Sequence, residues 1–120
     1  MMRLGRERND LGVVFDQVGT PTYAADLART IMTIVEKGII PGIYHFSNEG
    51  VTSWYDFTLA IHRLAGIDNC HVNPIHTKDY PTPASRPHYS VLDKQKIKDT
   101  YNIDIPHWEE SLARCIKRLS

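Results

Sequence analysis

The arginine with the most constrained setting in this sequence is Arg86, in the stretch YPTPASRPHYSVLD at positions 80–93. Pro81, Pro83 and Pro87 surround it, and each fixes one backbone angle and lowers the entropy lost when the loop is ordered. A planar guanidinium on such a stiff loop is suited to gripping phosphate oxygens through paired N–H donors. The other reading of the same residue is a surface cation stacked on the ring of Tyr80 or Tyr89. Composition leaves both open.

The remaining chemistry-bearing groups are less pointed. In DQVGTPT (16–22), Gln17, Thr20 and Thr22 precede a predicted helix, where backbone N–H groups donate either to an anion or to a simple side-chain cap. Trp54 and Tyr55 open another predicted helix. Trp54 is read there either as a packing staple or as an aromatic wall against a flat ligand ring. Cys70, His71 and His76 supply three potential metal ligands with no C-x-x-C partner, so the spacing favours ordinary strand and loop positions over zinc. Cys115 falls on the apolar stripe of the last helix, where a thiol behaves as a small hydrophobe. Glu109 and Glu110 are adjacent and diverge by about 100 degrees on a helix, too far apart in direction to act as a carboxylate pair.

The elements that carry these residues follow from periodicity. MMRLGRERND reads as the tail of a helix, and GVVF (12–15) as a short buried strand. A helix follows from about Thr22, its predicted cap, with Leu27, Ile31, Ile34 and Val35 on one face and Gly38 as its stop. GIYHFSN (42–48) reads as a strand. Ser53 and Asp56 form a capping box for a helix that turns Phe57, Ile61, Leu64 and Ala65 inward and ends at Gly66. HVNPI (71–75) is an expected edge strand, since Pro74 removes a ladder donor. HYSVL (88–92) is a further short strand, and Asp93 caps a brief helix to about Tyr101. The last helix places Trp108, Leu112, Cys115, Ile116 and Leu119 on one stripe, with acidic residues in its first turn and basic ones in its last. Strands alternating with helices predict an α/β layering of about four helices with short strands.

Bulk properties narrow the classes. One domain-sized unit, 1–120, accommodates the whole sequence, and 42% hydrophobic against 23% charged residues is too apolar for disorder. Zero formal charge and a pI near 7.0 give no basic footprint for nucleic acid. No apolar run reaches the roughly 18 residues of a membrane span. Arg3 and Arg6 lead into no secretory core segment, so Cys70 and Cys115 are expected as reduced thiols of a cytoplasmic protein. No internal repeat is present. Neither G-x-G-x-x-G nor G-x-x-x-x-G-K-[ST] occurs, so the usual opening of a nucleotide-binding α/β fold is missing.

Four stretches, GVVFDQVGTPTYAADLA (12–28), GIYHFSNEGVTSWYDF (42–57), YPTPASRPHYSVLD (80–93) and IPHWEESLARCI (105–116), carry a resemblance that runs from about Met2 to Leu119. Their D-Q-x-G-x-P-T and R-P-x-x-S-x-L-D patterns resemble the carboxyl-terminal part of the dTDP-4-dehydrorhamnose reductases, within the extended short-chain dehydrogenase/reductase family. The resemblance implies a substrate-binding portion lacking the amino-terminal Rossmann core. That core carries the glycine-rich cofactor loop, a Tyr-x-x-x-Lys pair and a Ser or Thr, so no catalytic residue is expected on these 120 positions. It further implies NADPH or NADH for the full-length enzyme and none bound by this portion. A dTDP-sugar, the Rossmann domain and further copies of the chain are the implied partners.

By the same resemblance, Arg86 binds the nucleotide pyrophosphate, Gln17 and Thr20 border the nucleotide, and Trp54 and Tyr80 wall the thymine or sugar. Many extended members have an arginine near position 19, and this chain does not. Some members hold magnesium between subunits through glutamates, but no such set can be placed on this sequence. Two other readings remain at this point: a non-catalytic regulatory or interaction module related to the reductase, and an inert piece whose unpaired strands self-associate.

Overall fold

Apolar Leu11, Val13 and Val14 belong to β1 (Asp10–Val14), which pairs in parallel with β4 (His71–Ile75). The computed structural model describes residues 1–120. Pro74 sits opposite Val13 in this two-stranded sheet, where each strand is an edge and a missing donor is tolerated. A second, minimal pair joins β2 (Val18–Gly19) antiparallel to β3 (Thr52–Ser53). Around these strands lie α1 (Met2–Glu7), α2 (Ala24–Lys37), α3 (Trp54–Ala65), α4 (Gln95–Tyr101) and α5 (Trp108–Leu119), with one 3-10 turn at Thr77–Asp79.

Helix α3 is the organiser because it is apolar on two sides. Ala60 and Ile61 meet Trp108, Leu112 and Ile116 of α5 in one core cluster. At its start, Trp54 and Tyr55 pack on a second cluster of Leu11, Val13 and Val72. Burying each large aliphatic or aromatic side chain contributes about 1.5–3 kcal/mol relative to exposure. Ser53 caps α3 by accepting from the Asp56 N–H at 3.0 Å, and Gly66 closes it in the left-handed region at φ 70°. The Asp56 carboxylate accepts from the Ser53 hydroxyl at 3.1 Å instead of reaching the Ser53 N–H, so the predicted box is half formed. Helix α1 crosses α3 where Gly5 faces the buried ring of His62, leaving no room for a Cβ.

The polar core is built around Asp26, whose side chain is only 1% exposed. It accepts from Asn48 Nδ2 at 2.8 Å, from the Ser111 hydroxyl, from Arg114 at 3.0 and 3.2 Å, and from Arg29 at 3.0 Å. One carboxylate thereby joins α2, the 47–49 turn and α5. Burial pushes its pKa up, but the hydrogen bonds from Ser111, Asn48 and Arg114 outweigh this and hold it below the ordinary value. Nearby, buried Lys94 donates to Ser47 Oγ and to Asn48 O, both at 3.1 Å, which fixes the start of α4 on the same turn.

Several sequence expectations are corrected by this arrangement. Residues 42–48 form no strand: no neighbouring strand exists within the chain to complete a ladder, and Ile43 is 80% exposed. The 88–92 segment is reduced to a single bridge, Val18 to Tyr89. Thr22 does not cap α2. Its N-cap is Tyr23, whose N–H is taken by Asn48 Oδ1 at 2.7 Å. The expected inward face of α2 is largely bare, with Leu27, Ile31 and Val35 exposed. Leu64 and Leu119 also lie at the surface, because the cluster shared by α3 and α5 closes without them. The expected layering of about four helices with short strands holds, with four longer α-helices and the six-residue α1 that the opening stretch predicted.

Candidate functional site

The proline loop is tied down at both ends to one short segment, Asp16–Val18. On the incoming side, the Thr77 N–H and hydroxyl both donate to Asp16 Oδ1, at 2.9 and 2.6 Å. On the outgoing side, the Val18 N–H donates to His88 O at 2.8 Å and the Ser90 N–H donates to Val18 O at 2.9 Å. His88 Nδ1 also lies 2.7 Å from Asp16 O. Residues 78–87 therefore form a closed arch over Gln17, and the three prolines stiffen its span. The hydrogen bonds from Thr77 hold the Asp16 carboxyl below the ordinary carboxylate range, so the charged anchor of the arch persists to lower pH than a free carboxylate would.

Arg86 lies in this arch and is exposed. Its guanidinium makes no ion pair, and it stacks on no ring: the cation–π contacts of the chain are Lys96 on Tyr44 and Arg114 on Tyr23. Instead it lines a cleft of about 360 Å³ together with Gln17, Trp54 and Tyr80. This size lies within the range of small-molecule sites. Arg86, Gln17 and Trp54 also border an adjoining cavity of about 290 Å³ with Pro87 and Ser90. Gln17 donates its amide N–H to Thr77 Oγ1 at 3.3 Å, which orients the amide and leaves its carbonyl oxygen without a protein donor.

Trp54 is partly packed and partly open to the cleft. One side packs on the Leu11, Val13 and Val72 cluster and meets Phe57 edge-on at 6.1 Å between centroids, while the residue also forms part of the cleft wall. Tyr80, 58% exposed, stands on the arch. Thr20 departs from the other four, since its hydroxyl donates to Gly50 O and it lines neither cavity. Sequence reasoning overlooked Arg8, which ends α1 and lines the larger cleft. The only signal was a basic residue at a helix end, which the helix dipole explains equally well.

The cleft is chemically mixed. It offers guanidinium, amide and aromatic faces, and no carboxylate, histidine or lysine lines it. Nothing in it fits a dinucleotide. Strand β1 runs into β2 rather than into the N-terminus of a helix, and no Tyr-x-x-x-Lys pair exists to handle a proton. No hydride-transfer step is assigned to these residues. Nor do glutamates converge for magnesium: Glu7, Glu49 and Glu109 are engaged by Arg3, Lys98 and Arg63, and no three potential ligands meet. Cys70 and His76 are likewise separated, Cys70 contacting His71 O and His76 facing Asp79. No helix is long and apolar enough to cross a membrane.

Fold and cleft together define a mixed α/β unit whose cleft is lined by guanidinium, amide and aromatic groups. The chain belongs to the RmlD substrate binding domain family, whose model matches residues 1–120. It is 44% identical to the dTDP-4-dehydrorhamnose reductase of Aggregatibacter actinomycetemcomitans over 93% of this chain and 42% of that protein. Among solved structures it resembles a dTDP-4-dehydrorhamnose reductase from Clostridium acetobutylicum, with a TM-score of 0.91 and 40% identity over 98% of this chain and 41% of that one. The Bacillus anthracis dTDP-4-dehydrorhamnose reductase, solved in complex with NADP, matches with a TM-score of 0.91 and 36% identity, again over 98% and 41%. The chain thus spans about two fifths of the length of the relatives it matches.

Proposed function

We propose that this chain is the substrate-binding part of a dTDP-4-dehydrorhamnose reductase, which reduces dTDP-4-dehydro-L-rhamnose to dTDP-L-rhamnose with NADPH or NADH. The observation that carries the reading is Arg86, unpaired within the chain and held by an anchored proline arch at a cleft walled by Trp54 and Tyr80. In this reading Arg86 takes the diphosphate through paired N–H donors. Trp54 and Tyr80 flank the thymine or sugar ring, and the free carbonyl of Gln17 accepts from the nucleotide. Thr20 acts indirectly, by fixing the Gly50 turn that precedes β3 and Trp54. The cofactor and the proton donor for the developing alkoxide are supplied by polypeptide outside these 120 residues.

Two measurements test this. Binding of dTDP quenches intrinsic fluorescence, and Trp54→Phe abolishes the quenching while buried Trp108 continues to emit. A full quench in Trp54→Phe, or none in the unaltered chain, contradicts the site. In the second, the isolated chain oxidises no NADPH when mixed with dTDP-4-dehydro-L-rhamnose. Turnover by a pure sample overturns the assignment of chemistry to other polypeptide.

A further inference from the structure

From the make-up of the larger cleft, and resting on the nucleotide-sugar reading above, we infer that Arg8 is a second anion-binding residue that makes the site prefer a nucleoside diphosphate over a monophosphate. Arg8 comes from a different element than Arg86. It follows α1, its backbone is extended at φ −117° and ψ 151°, and its N–H closes the helix on Leu4 O. From there its side chain lines the cleft of about 360 Å³ that Arg86, Trp54, Tyr80 and Gln17 also line.

The ordinary employments of a surface arginine are unfilled at this position. The neighbouring carboxylate, Glu7, is engaged by Arg3 at 2.9 Å, and none of the ion pairs of the chain includes Arg8 or Asp10. Arg8 stacks on no aromatic ring. Arg86 is unpaired in the same sense, and no acidic residue lines the cleft. Two arginines lining one cleft that no carboxylate lines raise its local positive potential. A ligand with two linked phosphoryl groups offers an anionic group to each arginine, whereas one phosphoryl group occupies one fork. The aromatic residues on the same walls match the base or sugar attached to such a diphosphate.

The test is calorimetric titration of the 120-residue chain with dTDP and, separately, dTMP. Arg8→Gln weakens dTDP by about tenfold, the loss expected of one charge-assisted contact, and changes dTMP by less than about threefold. Arg8→Lys keeps the charge without the fork and lies between the two. The exposed Arg8 side chain joins no ion pair within the chain, so both variants retain the circular dichroism of the unaltered chain. Unchanged dTDP affinity in Arg8→Gln overturns the inference, as does an equal loss for both nucleotides, which marks a general field effect. If Arg86→Gln weakens dTDP while Arg8→Gln does not, the nucleotide reading stands and only the role of Arg8 fails. If the unaltered chain binds neither nucleotide, both fail.

Discussion

Arg86 and Asp26 show how differently single residues announce themselves. The three prolines made Arg86 conspicuous in the sequence, but they could not say what the loop is anchored to. That depends on Asp16 and Val18, some sixty to seventy positions away, which hold Thr77 and the His88–Ser90 segment. Asp26 was read only as part of a helical stretch. Its partners Asn48, Ser111 and Arg114 are brought together by tertiary packing, and nothing in local spacing reveals them. Because the folded-state pKa of Asp26 is lowered, its contribution to stability is fully present above its ordinary pKa of 3.8 and is lost as pH falls through the lower folded value. Asp26→Asn is therefore expected to cost about 2–3 kcal/mol at pH 7, the scale of lost hydrogen bonds to a charged group. It should also flatten the loss of stability below about pH 4. Urea unfolding at pH 7 and pH 3 checks both, with a residual slope expected because Asp16 is lowered as well. Equal acid sensitivity in the two proteins contradicts the assignment.

At the scale of elements, the legible parts were those stabilised locally. Helix α3 has its Ser53 cap and Gly66 stop, α5 has acidic and basic ends, and the 71–75 strand tolerates Pro74. The parts that misled were those whose stability needs a partner. GIYHFSN has the β-branched and aromatic content of a strand, yet a ladder needs a second strand. In this chain Ile43 O is met only by Lys96 Nζ, at 2.9 Å. The apolar face of α2 was likewise visible as a pattern, while its exposure was not. Since Ile61 lies in the core cluster that joins α3 to α5, Ile61→Ala is expected to destabilise the chain by about 2–5 kcal/mol. Leu64→Ala, on the exposed side of the same helix, should cost less than about 1 kcal/mol. Thermal unfolding of the two variants orders them, and equal losses contradict the described packing.

Taken as a whole, the molecule is more open than its length requires. Its radius of gyration is 16.5 Å, where a compact chain of this length gives roughly 14 Å. Its accessible surface is 7885 Å², against roughly 6,600 Å² expected from the mass. The excess, about 1,300 Å², is of the size of one interdomain or intersubunit contact. The bare residues Ile31, Met32, Val35, Ile39 and Ile40 are clustered along α2 and the segment after it. The isolated chain is accordingly expected to form a dimer or larger species by light scattering, and Ile31→Glu with Val35→Glu shifts it toward monomer. A unaltered chain that remains monomeric at high concentration contradicts this. The central claim, that an arginine clamped by an anchored arch recognises a nucleotide diphosphate, is tested most directly by calorimetric titration of dTDP into the unaltered chain and into Arg86→Ala. The account predicts saturable binding that weakens at least about tenfold in the variant with the fold unchanged. Equal affinity in the two proteins, or no heat in the unaltered one, contradicts it.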